Sequence, residues 1–270
     1  MPDWIAVILL GIIEGLTEFL PVSSTGHLLI AEQWIHPAIA RTELFNIVIQ
    51  CGALLAVLVV FSQRVKSLVL GLRRPEVRDY LFKLSVSFVI TGIGGLFLKK
   101  VLHLKLPHTA VPVAVATLVG GIVILAIERA LRGRKGSPEI SWRTAIVVGF
   151  AQLLAAAFPG TSRSGACILF AAASGAARPA ATEFSFLVGI PTMFAASALE
   201  IFSTLKSGER LSGSDWGQVG IGSLAAAATA FLVVRWLLRF VQTRTFEIFG
   251  WYRIVLGLLI LAFASGSAQH

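Results

Sequence analysis

The sequence is short of charge. Asp, Glu, Lys and Arg make up 14% of its 270 residues, where soluble globular chains carry about 25%. That shortage argues against a soluble enzyme and against a disordered chain. Cysteine is scarcer still, with only Cys51 and Cys167, each inside an apolar run. Such placement argues against a disulfide scaffold or a cysteine metal pair, and both read as packed thiols. A Gly-rich nucleotide loop of the Walker type is missing, so ATP use is not expected. Met1-Pro2-Asp3-Trp4 lacks the basic stretch of a cleaved signal peptide.

What is abundant is apolar surface. Hydrophobic residues make up 56% of the chain, and the mean hydropathy is +0.83. The apolar runs are continuous over the roughly 20 residues a spanning helix needs, without the alternation of a transmembrane barrel. The expected fold is therefore an all-α polytopic membrane protein, with the lipid bilayer as its surroundings. The net charge of +9 would suit a nucleic-acid binder, but its positions fit cytoplasmic loops better, and no nucleic-acid partner is expected.

Six runs read as spans: about Phe45–Phe61, Leu81–Leu98, Ala110–Ile127, Phe184–Phe202, Trp216–Leu238 and Ile248–Phe263. Two further stretches are apolar but interrupted. Trp4–Ile35 contains Glu14, Glu18, Pro21 and Ser23-Ser24-Thr25-Gly26-His27. Ala145–Ala177 contains Gln152 and Pro159-Gly160-Thr161-Ser162-Arg163-Ser164-Gly165. Each reads as a re-entrant hairpin, two short helices around a polar turn, tolerated at membrane depth only where protein or a wet cavity surrounds it.

The two stretches also match each other. Gly11, Glu14, Pro21, Ser23 and Ser24 recur 138 positions on as Gly149, Gln152, Pro159, Thr161 and Ser162, which puts Arg163 opposite Thr25. The chain thus divides into a first repeat over 1–128 and a second over 139–270, each a hairpin plus three spans. An odd number of crossings inverts the second repeat relative to the first, and sites in such architectures lie on broken helices near the midplane.

Orientation follows from Lys and Arg. One side receives Arg64, Lys66, Arg73, Arg74, Arg78, Arg129, Arg132, Arg134, Lys135, Arg143, Arg178, Arg235, Arg239 and Arg244. The other receives Arg41, Lys99, Lys100, Lys105, Lys206 and Arg210, and Lys83, Arg163 and Arg253 stay inside the apolar runs. The richer side is expected to be cytoplasmic and both termini extracytoplasmic.

The candidate chemistry sits in the two interrupted stretches. Glu14 and Glu18 are spaced to share one helix face, and two like charges in an apolar segment need a cation, a proton or a basic partner. A divalent-metal or base role is expected for Glu14 and Glu18, with magnesium or calcium as the candidate ion. Ser23, Ser24 and Thr25 fall where the second short helix starts, and helix N-termini suit phosphate. Ser24, with His27 three residues on and the carboxylates nearby, reads as a nucleophile with candidate bases. In the second stretch, Gly160, Thr161, Ser162, Arg163 and Ser164 place hydroxyls around a permanent charge, a cradle for an anionic group. The set suggests phosphoryl transfer on a lipid headgroup, with water as final acceptor.

The segments EGLTEFLPVSSTGH (Glu14–His27) and PGTSRSG (Pro159–Gly165) resemble the paired signatures of the bacterial undecaprenyl-diphosphate phosphatase family, linked to bacitracin resistance. The similarity extends over essentially the whole chain. It implies removal of the terminal phosphate from undecaprenyl diphosphate in the cytoplasmic (inner) membrane, which recycles the lipid carrier of cell-wall synthesis. It also implies divalent-cation dependence and a polyprenyl diphosphate as substrate. A homodimer is a candidate assembly that the sequence does not fix. Residue by residue, it places the family's Glu pair on Glu14 and Glu18, its first-motif Ser and His on Ser24 and His27, and its second-motif Ser and Arg on Ser162 and Arg163. Ser24 is the expected nucleophile, with His27 also considered for that role. The chain departs from the resemblance at Asn46, where an acidic residue is expected. The competing reading is a transporter or flippase of a phosphorylated polyprenyl lipid, which would need the phosphate site but no nucleophile.

Overall fold

The computed structural model describes residues 1–32, 34–35, 37, 43–100, 110–206 and 212–267. Arg41, Lys105 and Arg210, which enter the orientation argument, lie outside the described residues. The described chain is helical throughout: α1 (Asp3–Thr17), α2 (Ser24–Ala31), α3 (Glu43–Val60), α4 (Ser62–Leu70), α5 (Pro75–Lys100), α6 (Ala110–Ala130), α7 (Trp142–Ala157), α8 (Arg163–Ala173), α9 (Arg178–Lys206), α10 (Gly213–Thr243) and α11 (Glu247–Ser267).

Local chemistry sets the helix starts. Ser212 and Asp215 form a reciprocal capping box at α10, and Ser141 accepts from the Thr144 amide at the start of α7. Pro75 opens α5, where its missing N–H costs nothing. The helices of the two interrupted stretches end near the prolines. α1 stops at Thr17 ahead of Pro21, and α7 stops at Ala157 ahead of Pro159.

Among the described residues, five helices, α5, α6, α9, α10 and α11, are each long and apolar enough to cross a bilayer. The expected run Phe45–Phe61 corresponds to α3, which ends at Val60. There the chain bends by 68° into α4. The bend falls where the apolar run gives way to Gln63 and Arg64. Helix also extends past the expected spans, because α4 follows α3 over Ser62–Leu70 and α10 runs on to Thr243. Charged residues there are carried on helices that project beyond the apolar stretch.

Lipid offers helices no hydrophobic drive to associate, so close backbone approach and polar ties must hold them together. Small residues provide the approach. Gly11 and Gly15 of α1 lie against the backbone of Gly222 and Ala226 in α10, where a methyl group would strike a carbonyl oxygen. Gly149 of α7 rests on Ser87 and Ile90 of α5, and Gly121 of α6 on Gly250 of α11. The packing partners come in matched sets: α1 with α10 and α7 with α5, α3 with α10 and α9 with α5, then α6 with α11 and α3 with α9. Leu224, Leu232 and Ile93 point outward from this bundle, as lipid-facing side chains do.

Polar ties close the ends. Arg178 at the start of α9 reaches Glu128 at the end of α6 with two N–H groups, and Glu128 also accepts from the Phe246 amide at 3.1 Å. This buried carboxylate therefore joins three elements at one end of the bundle. Under the first polar turn, the rings of Phe19, Phe186 and Phe61 meet edge to face at 5.3 and 6.2 Å, and Phe19 and Phe186 are fully buried.

Candidate active site

Two serines mark the site. Ser23 has φ 74° and Ser162 has φ 68°, and they are the only non-glycine residues with positive φ among those described. A side chain in that region costs roughly 1–2 kcal/mol, and such strain persists where surrounding structure over-determines it. Each serine is the N-cap of the helix that follows. Ser23 Oγ accepts from the Gly26 amide at 3.3 Å, and Ser162 Oγ from the Gly165 amide at 3.2 Å. The turns α1–α2 and α7–α8 therefore share one local build.

This geometry corrects the sequence match. Up to the prolines the offset is 138, but the two caps, Ser23 and Ser162, are 139 apart, as are Gly26 and Gly165. The second turn carries one extra residue, so Arg163 stands opposite Ser24 rather than Thr25. Both are the first residue of their helix. One turn thus presents a hydroxyl, and the other a guanidinium, at the same local position.

Glu18 joins them. Ser24 Oγ donates to Glu18 Oε2 at 2.8 Å, and Arg163 Nη2 donates to Glu18 Oε1 at 3.1 Å. The pair is largely withdrawn from solvent, with Glu18 8% and Arg163 16% exposed at the side chain. In such surroundings a charge-assisted bond is stronger than in water. Arg163 Nη1 is buried and has no partner. Gly189 of α9 makes room for it, since a methyl group there would lie 2.5 Å from Nη1.

The expected residues divide into those brought together and those turned away. Glu18, Ser23, Ser24, Thr25, Gly160, Ser162 and Arg163 line one cavity of about 270 Å³, with Gln50, Thr91, Gln152 and Thr192 on the facing walls. Glu14 is fully buried behind it, with no hydrogen-bond partner on either oxygen, and the charges around it are those of Glu18, Arg163 and Glu32. Ser164 is spent on structure, because its Oγ donates to the Leu20 carbonyl at 2.9 Å. The Thr161 side chain borders a separate, apolar cavity between α6, α7 and α8.

His27 does not face Ser24. Its Nδ1 is 2.7 Å from the Ser23 carbonyl oxygen, which can only accept, so Nδ1 carries the proton. Nε2, 2.6 Å from the Tyr252 hydroxyl, is then the acceptor of that O–H. The two rings are stacked at 5.6 Å. The group positioned to take the Ser24 proton is Glu18. Asn46, the departure in α3, donates to Glu32 at 3.3 Å and is not among the residues lining the cavity.

Arg253, left over inside an apolar run by the sequence, holds the turns in place. It is 1% exposed, and its five N–H groups all meet backbone carbonyls. Nη1 donates to Pro21 and Thr161, Nη2 to Gly160 and Ala116, and Nε to Thr117. The turn after α1 and the turn after α7 thus share one guanidinium from α11. Ser162 and Ser164 add a second tie between them through the Leu20 carbonyl.

Known proteins match this chain closely. The family described as "Bacitracin resistance protein BacA" matches residues 7–259. A protein of Rhizobium leguminosarum bv. trifolii (strain WSM2304) named "Undecaprenyl-diphosphatase" is 50% identical over 264 residues, 97% of this chain and 98% of its own length. One of Rhizobium etli (strain CIAT 652) with the same name is 51% identical over 264 residues, with the same coverage. One of Xylella fastidiosa (strain 9a5c), again so named, is 48% identical over 262 residues, 97% of this chain and 98% of its own.

The tight seat of Arg163 yields a test. Gly189→Ala should displace the guanidinium while leaving the helices packed. Turnover of a diphosphate ester, as kcat/KM, should fall about 10- to 100-fold, the scale for a misplaced catalytic group, with little change in the thermal midpoint in detergent. Parent-like activity would mean that the placement of Arg163 is not critical.

Proposed function

The chain belongs to the family of bacitracin resistance protein BacA, and on that premise we propose that it is an integral membrane phosphatase. It hydrolyses undecaprenyl diphosphate to undecaprenyl phosphate and inorganic phosphate. The observation that carries the chemistry is the Ser24–Glu18–Arg163 chain of hydrogen bonds. Ser24 Oγ attacks the terminal phosphorus and gives its proton to Glu18. The new bond is Ser24 O–P, the broken one is the P–O bond to the bridging oxygen, and the leaving group is the lipid monophosphate. Water then attacks the phosphoserine: its oxygen forms the new bond to phosphorus, the Ser24 O–P bond breaks, inorganic phosphate leaves, and Glu18 returns its proton to Ser24 Oγ. Throughout, Arg163 keeps one nitrogen on Glu18 and turns Nη1 toward phosphate oxygens, with the N-terminal amides of α2 and α8 nearby.

A divalent cation fits beside these groups. The buried oxygens of Glu14 are hard donors beside the Glu18 carboxyl, and no N–H or O–H of another residue meets them, whereas Glu18 is already shared between Arg163 and Ser24. No group of three or more His, Cys, Asp or Glu side chains gathers as a metal site among the described residues. Glu14 and Glu18 would thus supply only part of a coordination sphere, as is common for magnesium completed by phosphate and water. When bound, the ion neutralises charge on the diphosphate.

The wider reading is a pair of inverted repeats, 1–128 and 139–270, with the two polar turns as re-entrant hairpins. The like build of those turns and the matched helix partners support it. The Lys and Arg distribution supports extracytoplasmic termini in the inner membrane.

Two experiments follow. Purified protein in detergent, where no second compartment exists, should release inorganic phosphate from undecaprenyl diphosphate. Ser24→Ala should lower kcat by about 10³-fold or more. A protein that binds the lipid but never releases phosphate would be a carrier, and a near-normal Ser24→Ala would remove Ser24 as nucleophile. Exhaustive chelation should abolish turnover, and added magnesium or calcium should restore it. Full activity without the ion would leave Glu14 and Glu18 as base and structural partner instead.

A further inference from the structure

Gln152 stands in α7 where Glu14 stands in α1, at the offset of 138 that holds before the prolines. It lines the same cavity as Arg163 and Ser24 and has no part in the mechanism above. Its side chain is 2% exposed. Nε2 donates to Thr91 Oγ1 at 2.9 Å. The orientation of the amide follows from Thr91 itself. That hydroxyl lies 2.9 Å from the Ser87 carbonyl and 3.2 Å from the Gly149 carbonyl. Carbonyls only accept, so the single hydroxyl proton goes to them and only a lone pair remains for Gln152. The amide nitrogen must face Thr91, and Oε1 is left pointing elsewhere, buried and without a donor.

An unpaired buried acceptor costs about 1–3 kcal/mol, and Arg163, which lines the same cavity, holds an unpaired buried donor, Nη1. A ligand that satisfies both must accept at one end and donate at the other. A fully ionised phosphate group only accepts. Hydrogen phosphate does both, with oxygens for the guanidinium and a P–OH for the amide oxygen.

We propose that Gln152 binds the hydroxyl of hydrogen phosphate, so that the cavity recognises the protonated phosphate group and not merely a tetrahedral anion. The proposal rests on the phosphatase reading and adds to it a residue that selects among anions. It also gives a reason for an amide at this place. A carboxylate would offer the same acceptor but would add a negative charge facing the phosphate.

Sulfate separates this role from a structural one. At about pH 8 sulfate and inorganic phosphate are both mainly dianions of similar shape, but only phosphate carries a proton. Binding of each anion to the full-length protein in detergent can be measured by calorimetry. The parent should prefer phosphate. Gln152→Met should weaken phosphate roughly tenfold, the scale of one lost hydrogen bond to a charged group, and leave sulfate unchanged. Thr91→Val, which keeps Gln152 but releases its amide, should move phosphate in the same direction by less. Equal losses for both anions, or no loss for either, in both variants would overturn the proposal. Arg163→Ala is the control and should lose both anions. A parent that binds neither anion would overturn the phosphate-site reading itself, and this proposal with it.

Discussion

The structure depends on what happens to the peptide groups of two broken helices in the middle of an apolar bundle. Helix interiors satisfy their own backbone, but a turn buried inside a bundle leaves carbonyls with no water to meet. Here one side chain from a distant part of the chain supplies the donors. The guanidinium of Arg253 spends every N–H on backbone oxygen, three of them on the carbonyls of Pro21, Gly160 and Thr161. The same bonds make the buried charge tolerable, because five carbonyl dipoles converge on it. Neither the turns nor the arginine would be stable in such a place alone. Gly120 completes the arrangement, since any side chain there would occupy the space of the guanidinium.

Function follows from that tie. With the turns joined, the first residues of α2 and α8 face one cavity, and the chain can divide its chemistry between them. The first helix contributes a hydroxyl and the second a permanent positive charge. Glu18 connects the two and holds the hydroxyl as donor before any substrate arrives. The strained serines, Ser23 and Ser162, serve as caps, which leaves the Ser24 hydroxyl to Glu18. His27 supports from outside the cavity. Its Nδ1–H on the Ser23 carbonyl and its bond from Tyr252 brace the strained residue that precedes Ser24.

Much of this was legible in the residues, for a physical reason. Polar groups are costly in apolar stretches, so Glu14, Glu18, Ser24, Gln152 and Arg163 stand out from their surroundings, and the prolines beside them mark the breaks. The six apolar runs are all found as helices. What stayed hidden depended on backbone. Counting identities cannot detect that the second turn holds one more residue than the first, because the caps Ser23 and Ser162 are recognised by their φ values, not by their spacing. The role of Arg253 left a trace, an arginine inside a span, but its partners are carbonyls, which have no signature in a sequence. The i, i+3 spacing of Ser24 and His27 allowed a shared face. The bond from His27 back to Ser23 directs the ring to Tyr252 instead. The bend at Phe61 falls where an apolar run ends, but no residue there sets its 68° angle.

The central claim is that a single guanidinium holds both turns together and so assembles the site. Hydrogen–deuterium exchange on Arg253→Met, beside the parent in the same detergent, tests it most directly. The account predicts faster exchange in both the 21–27 and the 159–166 segments, far apart in sequence, together with a loss of phosphate release, while the α1–α10 contact keeps its protection. Parent-like exchange in both turns, or a change confined to α11, would contradict it.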